Sequence, residues 1–223
     1  MRLRNGEKIL KISVAIDGPA GAGKSTIAKL VGKKYNLMYI NTGAMYRAVT
    51  YYALKTGVSC DELSKLMNLI ETLEMHFDGD RLIVNGNDIT DELTYPEISN
   101  NVSNYAAIKE VRERLVYLQQ KMSQKFEVIM DGRDIGTVVL KDANFKFFLT
   151  AKAEERAKRR YKELIDKGLD VEFNNILEEI EKRDYIDTHR EVNPLTKAED
   201  AIEIDTSYLT IDEVVKKISE ILN

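Results

Sequence analysis

One stretch near the amino terminus constrains the fold of this chain more strongly than any other. Gly18-Pro19-Ala20-Gly21-Ala22-Gly23-Lys24-Ser25 follows the apolar run 12–16 and precedes the helix-forming segment 26–31. This order predicts a strand, a glycine-rich loop and a helix, the context in which G-x-x-x-x-G-K-[ST] forms a phosphate site. A glycine-rich turn before an ordinary helix is the less favoured alternative, because every motif position is filled.

Each part of this motif has a physical reason. Gly18, Gly21 and Gly23 can adopt backbone angles that a Cβ would forbid, so successive N–H groups can point at an anion. The helix adds the positive end of its dipole, and Lys24 reaches the outer phosphates. Ser25 offers a hydroxyl oxygen to Mg²⁺, which keeps most of its waters. The predicted phosphate site comprises Gly18, Pro19, Ala20, Gly21, Ala22, Gly23, Lys24 and Ser25.

Composition restricts the class of protein. The 223 residues suffice for one domain with insertions, and 33 Lys and Arg against 37 Asp and Glu leave a net charge of −4. That balance argues against general nucleic-acid binding. The lone Cys60 has no partner for a disulfide within the chain, which favours a cytoplasmic location. No apolar run approaches the ~20 residues that cross a bilayer, so no membrane association is expected.

Alternating strands and helices predict an α/β fold with a parallel sheet. Besides 12–16, the predicted strands are 37–40, 126–130, 146–149 and 201–205, and the predicted helices include 98–125, 153–167, 173–187 and 211–222. Residues 61–101 interrupt this alternation with a helical stretch and a β-hairpin around two turn signals. They predict an insertion that lies outside the parallel sheet.

Polar residues follow two of the predicted strands. Arg47 lies at the start of a helix after strand 37–40, and Asp131-Gly132-Arg133-Asp134 follows strand 126–130. Parallel strands present their carboxyl ends at one edge of the sheet, so we expect both groups beside the phosphate loop. A solvated helical arginine and a simple turn are the alternatives.

A group of arginines occupies the two polar helices that follow. Five of them lie between residues 156 and 190, namely Arg156, Arg159, Arg160, Arg183 and Arg190. Pairs spaced by four residues, such as Glu179 and Arg183, account for part of this charge. The remainder predicts a helical hairpin that lies over phosphates.

Together these motifs resemble the bacterial cytidylate kinases, which are P-loop nucleoside-monophosphate kinases. The matching stretches span nearly the whole chain in the family's order: 16–25, Thr42-Gly43-Ala44-Met45-Tyr46-Arg47, 111–113, Asp131-Gly132-Arg133-Asp134-Ile135-Gly136-Thr137-Val138-Val139, 155–160 and 183–190. The run at 131–139 is the most specific, whereas the phosphate loop alone fits many families.

The resemblance implies one kinase domain, 1–223, with a five-stranded parallel sheet in the order 2-3-1-4-5 flanked by helices. Its core would comprise residues 9–41, 102–152 and 191–223. A monophosphate-binding subdomain with a small antiparallel sheet would occupy about 42–101, and a helical lid about 153–190. The implied reaction transfers the γ-phosphoryl group of ATP to CMP or dCMP, giving CDP or dCDP and ADP, with Mg²⁺ as cofactor. Nothing in the sequence indicates an obligate oligomer, so a monomer is expected.

Carried over residue by residue, the resemblance also implies the site. The catalytic residues would be Lys24, Arg47, Arg133 and Arg190. ATP would be bound by Gly18 to Thr26, together with Arg156 and Arg160. The CMP site would comprise Thr42, Arg47, Ser103, Arg112, Arg133, Asp134, Arg183, Asp187 and Arg190. Mg²⁺ would be held by Ser25 and, through water, by Asp131. Asp134 can accept from the N4 amine of cytosine, where uracil presents an oxygen.

The sequence departs from the family's pattern at three places. Asn41 stands where Asp is common, Thr42 stands where Ser is frequent, and Leu140-Lys141-Asp142 replaces an aromatic–proline step. The first two bear on the choice between ribose and deoxyribose.

Other functions remain open at this level. Another P-loop small-molecule or nucleoside-monophosphate kinase, such as a UMP/CMP type, would share the core and lid. A GTPase normally reads guanine through Asn-Lys-x-Asp, which does not occur in this sequence. A nucleotide-binding module without catalysis is opposed by the two groups of arginines that flank the phosphates.

Overall fold

A computed structural model describes residues 11–223, together with the backbone of Arg4–Asn5 and Lys8–Ile9. The strands are β1 Arg4–Asn5, β2 Lys8–Ile9, β3 Ser13–Asp17, β4 Met38–Asn41, β5 Met75–Asp78, β6 Arg81–Val84, β7 Asn87–Asp88, β8 Val128–Gly132, β9 Phe145–Thr150 and β10 Ile202–Asp205. The helices are α1 Lys24–Tyr35, α2 Thr42–Thr56, α3 Leu63–Glu71, α4 Pro96–Ala106, α5 Lys109–Lys125, α6 Ala153–Asp166, α7 Phe173–His189 and α8 Ile211–Leu222. A π-helical turn spans Ile135–Val139.

A parallel sheet of five strands forms the centre of the fold. Its order is β10-β9-β3-β8-β4, which reads 2-3-1-4-5 from the β4 edge when these strands are numbered along the chain. The predicted α/β architecture and strand order are therefore confirmed. The register pairs Asp17 with Gly132 and Asn41 with Asp131. Three polar strand ends are thus level at one edge of the sheet.

Both faces of this sheet are covered, which explains the uninterrupted apolar runs of its strands. Along β8, Val128 and Met130 join the cluster packed under α2 and α5, whereas Ile129 joins the cluster under α1 and α8. This alternation follows from the two-residue period of a strand. Each such buried side chain contributes about 1.5–3 kcal/mol relative to exposure.

The insertion has its own antiparallel sheet, formed by β5, β6 and β7. The predicted hairpin is confirmed, and β7 extends it by one short strand. Asn85 and Gly86 have φ angles of +50° and +78°, which suit the tight turn between β6 and β7. The turn between β5 and β6 approaches α1, where Asp80 and Lys29 form an exposed ion pair.

The single helix predicted for residues 98–125 is wrong. The chain forms α4 and α5, separated at Ala107 and Ile108, and Ile108 is extended with ψ of 125°. The break frees the carbonyl of Ala106, and Arg112 Nη1 donates to it at 3.0 Å. A buried side chain therefore replaces the backbone donor that a continuous helix would have supplied.

Helices α6 and α7 pack against each other and match the predicted helical hairpin. Leu164, Ile176 and Ile180 form their small shared core. Gly168, with φ of +75°, ends the turn after α6. Among the residues that the structure describes, no helix is long and apolar enough to cross a bilayer.

Candidate active site

The phosphate loop joins β3 to α1, and its geometry requires glycine. Gly21 and Gly23 have φ angles of +75° and +86°, a region that side chains disfavour. A Cβ on Gly18 would lie 1.9 Å from the carbonyl oxygen of Leu149 on β9. Since α1 begins at Lys24, the positive end of its dipole lies at the loop.

Lys24 is buried at the centre of the site. Its Nζ donates to the carbonyl oxygen of Pro19 at 2.7 Å. Burial lowers the pKa of Lys24, and the neighbouring charge of Arg133 lowers it further. An anion beside this ammonium would oppose both effects, so the environment favours phosphate binding.

Asp131 connects three elements at the sheet edge. Its Oδ2 accepts from Ser25 Oγ at 2.8 Å, and its Oδ1 accepts from the Tyr39 hydroxyl at 2.9 Å. Its main-chain oxygen accepts from Thr42 Oγ1 at 2.7 Å. The structure thus brings the 131–134 turn against the phosphate loop, as the strand order predicts.

Asp17 holds the other side of the same turn. It is buried, and its two carboxylate oxygens accept from the backbone N–H groups of Ile135 at 2.8 Å and Gly136 at 2.7 Å. Burial raises the pKa of Asp17 to about 6, although both backbone donors act in the opposite direction. No pattern in the sequence indicated a role for this residue.

A chain of alternating charges lines one side of the site. Arg112 pairs with Asp134, and Arg190 Nη2 lies 3.7 Å from the other oxygen of Asp134. Arg190 Nη1 also lies 3.8 Å from Asp187 Oδ1, and Arg133 Nε donates to Asp187 Oδ2 at 2.7 Å. Burial opposes ionisation of Asp187, but Arg133 and Arg183 outweigh it and lower the pKa of this carboxyl. The Asp187 carboxylate is therefore held in its charged form.

Arg47 and Arg183 differ from the arginines of this charged chain because they have no carboxylate partner among the described residues. Neither Arg47 nor Arg183 forms an ion pair with another residue in the described part of the chain, and Arg183 Nε is buried without a hydrogen-bond partner. Burial, followed by Arg133 and Arg47, lowers the pKa of Arg183 to about 9. Burial and Arg133 also lower the pKa of Arg47. These cations lack the counter-charge that an anionic ligand would supply.

Two cavities meet at this site. The larger is a cleft of about 950 Å³ that runs along the phosphate loop, and the smaller is a pocket of about 40 Å³. Both are lined by Ser103 and Arg183, so they adjoin. The smaller pocket is also lined by Thr42, Tyr46, Arg112, Arg133, Asp134, Asp187 and Arg190. Every predicted CMP-site residue except Arg47 lines this pocket, and Arg47 lines the cleft.

The three arginines of α6 differ from one another. Arg160 and Arg159 line the cleft. Arg156 instead donates to the carbonyl oxygens of Ala151 and Ala20, each at 2.9 Å, and to Asp184 Oδ2 at 2.6 Å. Its guanidinium therefore ties α6 to the phosphate loop and to α7, and its role toward ATP stays a prediction.

Tyr46 lines the smaller pocket, but in the sequence it stood out only as part of the motif 42–47. Its hydroxyl is buried without a hydrogen-bond partner, and the Arg112 guanidinium lies 5.3 Å from the centre of its ring. Tyr46 precedes Arg47 in the motif, but nothing in the spacing distinguishes a packed tyrosine from one that faces a ligand. Tyr39 was not predicted as a site residue, because it lies within an apolar strand and carries no motif signal.

Comparison with known proteins gives concordant matches. The profile of the family described as cytidylate kinase matches residues 14–223. A cytidylate kinase of Clostridium perfringens (strain SM101 / Type A) is 66% identical over 208 residues, covering 93% of this chain and 96% of that protein. One from Clostridium acetobutylicum is 61% identical over 214 residues, covering 96% and 99%. Among solved structures, an uncharacterized protein from Eubacterium ventriosum superposes with a TM-score of 0.51 at 16% identity, covering 96% of this chain and 98% of that one. The last likeness concerns the fold alone.

Proposed function

The chain belongs to the cytidylate kinase family, and we propose that it transfers the γ-phosphoryl group of ATP to CMP or dCMP between the two adjoining cavities. ATP would occupy the cleft along the phosphate loop, and the monophosphate would occupy the pocket beside it. The products would be ADP and CDP or dCDP.

One observation carries this proposal: three buried or partly buried cations line the cleft along the phosphate loop, and none of them forms an ion pair with a carboxylate of the described residues. Lys24, Arg47 and Arg183 have lowered pKa values for the same reason, since each is desolvated and close to other positive charge. Phosphoryl transfer between two nucleotides brings several negative charges into this small volume. The site is thus arranged to offset their mutual repulsion.

The reaction needs positioning more than proton transfer. The acceptor phosphate is already an anionic nucleophile, so no general base is required. Lys24, Arg47 and Arg133 would neutralise charge on the transferring group and align the two phosphates. Arg190 would support the acceptor phosphate from the far side of the pocket.

The oxygen ligands at the loop fit a magnesium ion. Ser25 Oγ and Asp131 Oδ2 are 2.8 Å apart, and both are hard oxygen donors. No cluster of three acidic, histidine or cysteine side chains occurs within residues 11–223, which suits a cation that binds mainly phosphate and water. Bound Mg²⁺ would supply positive charge to the ATP phosphates. Ser25 would contact it directly, and Asp131 through water.

The paired charges support recognition of the nucleoside. Asp134 can accept from the N4 amine of cytosine, and its carboxylate forms an ion pair with Arg112. Ser103 lies on the same wall of the pocket. Thr42, Arg183 and Asp187 would face the ribose. A base that leaves Asp134 unpaired would lose about 1–3 kcal/mol of binding.

The remaining assignments follow the same scheme. The core would comprise residues 9–41, 102–152 and 191–223, the monophosphate-binding subdomain about 42–101 and the lid about 153–190. Closure of the lid would bring Arg160 and Arg156 toward ATP and exclude water, which would otherwise hydrolyse the nucleotide. We propose that the enzyme acts as a cytoplasmic monomer.

A substrate panel tests the proposed function. ADP release is measured with CMP, dCMP, UMP and AMP as acceptors, with Lys24→Ala as the inactive control. CMP and dCMP should be preferred over UMP and AMP. Equal rates with UMP would instead support a UMP/CMP-type kinase, and the absence of ADP release with every nucleotide would contradict the assignment of the pocket.

A further inference from the structure

Asp17 has no role in the scheme above, yet its environment is unusual for a carboxylate. It is 4% exposed and ends the central strand β3, one residue before the phosphate loop. It forms no ion pair with any residue in the described ranges. Both of its oxygens instead accept backbone N–H groups from a segment more than a hundred residues away, at Ile135 and Gly136.

These two N–H groups belong to a particular piece of backbone. They open the π-helical turn Ile135–Val139, whose first donors have no partner within the turn. Asp134 immediately precedes them, so the two hydrogen bonds fix the direction in which the chain leaves Asp134. The Asp134 carboxylate in turn forms ion pairs with Arg112 and Arg190.

The location of Asp17 in the sheet adds to this constraint. Asp17 is in register with Gly132, and its neighbour Ile16 is in register with Asp131. The turn that carries Asp131, Arg133 and Asp134 is therefore held at its start by the β-ladder and at its end by the Asp17 side chain. Asp17 forms the second of these anchors.

We infer that Asp17 is a positioning residue for recognition of the pyrimidine. By holding the backbone N–H groups of Ile135 and Gly136, Asp17 orients Asp134, which in turn orients the base. This inference rests on the proposed function. It concerns a residue that touches neither nucleotide, and it makes the last residue before the phosphate loop a determinant of which base the neighbouring pocket accepts.

Asp17→Asn is the direct test. The amide can accept one N–H, but its NH₂ group would face the other donor, so the end of the turn must shift. We expect kcat/KM for CMP to fall by about tenfold or more, the ratio of CMP to UMP kcat/KM to fall, and KM for ATP to change by less than about twofold. Asp205→Asn is the matched control, since Asp205 also ends a strand of this sheet and accepts a backbone N–H, from Ser207.

A double-mutant cycle separates positioning from a general loss of structure. If Asp17 acts through Asp134, then Asp17→Asn should change the CMP to UMP ratio by less than about twofold when Asp134→Asn is already present. Additive effects on the ratio, or an Asp17→Asn enzyme with an unchanged ratio, would overturn the inference. An unaltered chain that does not phosphorylate CMP would instead contradict the proposed function.

Folding is checked for each variant by thermal unfolding. If Asp17→Asn does not fold, the cycle is repeated with Asp17→Ser, whose hydroxyl can accept one of the two N–H groups. Failure of both variants to fold would overturn the inference, because the contact would then be needed for the fold itself rather than for base selection.

Discussion

Arg112 and Asp134 form an ion pair between two side chains that are only 1% and 5% exposed. They come from different elements, α5 and the turn after β8, and they close one wall of the smaller pocket. Such a pair is strongly disturbed when one partner is removed, because the other charge is left buried.

Asp134→Asn should therefore have two effects. We propose that this carboxylate accepts from the N4 amine of cytosine, so its loss should lower the ratio of CMP to UMP kcat/KM by at least about tenfold. The unpaired Arg112 charge should lower the free energy of unfolding by about 3 kcal/mol. Steady-state kinetics and urea unfolding measure these effects. Asp88→Asn, in an exposed ion pair with Arg81, is the control, and an unchanged ratio would show that Asp134 does not read the base.

Arg133→Ala should weaken transition-state stabilisation. Arg133 is linked to Asp187 and contributes to the lowered pKa of Lys24, so it lies close to the transferring group. We expect kcat/KM to fall by about two orders of magnitude, equivalent to about 3 kcal/mol. Arg81→Ala, which removes an exposed arginine from the insertion, should leave kcat/KM unchanged. Equal values for both variants would indicate that Arg133 only stabilises its turn.

Asp17 predicts a pH dependence of stability. Its pKa rises from 3.8 to about 6 on folding, so the folded protein holds this proton more tightly than the unfolded chain does. This tighter proton binding raises the free energy of unfolding. The contribution is fully present below the pKa of the unfolded chain and is lost as pH rises through about 6. Relative to Asp17→Asn, the unaltered protein should lose on the order of 3 kcal/mol between about pH 3.5 and pH 7. If the free energies of unfolding of the two proteins, measured by urea unfolding at each pH, change in parallel, the raised pKa of Asp17 would be contradicted.

Tyr46→Phe should separate function from stability. The Tyr46 hydroxyl is buried without a partner, so its removal should not lower the melting temperature, whereas KM for CMP should rise severalfold if the hydroxyl meets the nucleotide. Tyr105→Phe should behave in the opposite way. The Tyr105 hydroxyl donates to the carbonyl of Val58 at 2.8 Å, so its loss should cost about 1 kcal/mol of stability and leave KM unchanged. If Tyr46→Phe binds CMP normally, this hydroxyl does not contact the nucleotide.

Ser25→Ala should alter the requirement for magnesium. Chelation with EDTA should abolish the activity of the unaltered enzyme, and added Mg²⁺ should restore it. Loss of the Ser25 hydroxyl should raise the Mg²⁺ concentration needed for half-maximal rate, because the proposed site would lose its one direct protein oxygen ligand. Ser123→Ala, on α5, is the control. A full rate for the unaltered enzyme in EDTA would contradict the metal assignment.

The sheet could be predicted because its signals are local. The apolar run before Gly18 and the polar residues after β8 indicated both the strands and the edge at which they end. The break between α4 and α5 could not be predicted, since neither Ala107 nor Ile108 is a helix breaker. The break is compatible with the fold because the Arg112 side chain satisfies the freed carbonyl of Ala106.

The site was predictable as a set of residues but not as a set of contacts. Arg156 and Arg160 look equivalent in sequence, yet Arg156 donates to protein carbonyls and a carboxylate while Arg160 lines the cleft. Their difference depends on the distance from α6 to the phosphate loop, which spacing along the chain does not encode. The same reason concealed Asp17, whose partners are 118 and 119 residues away.

The small pocket, about 40 Å³, has room for only a few water molecules, each of which needs ~10–15 Å³. A nucleotide cannot enter this conformation without separating side chains that now contact one another. Binding of CMP should therefore require an opening step. The observed rate constant of CMP binding should then level off at high CMP concentration instead of rising in proportion to it. Because the groups that must part are buried, added salt should change that plateau far less than it changes encounters governed by surface charge.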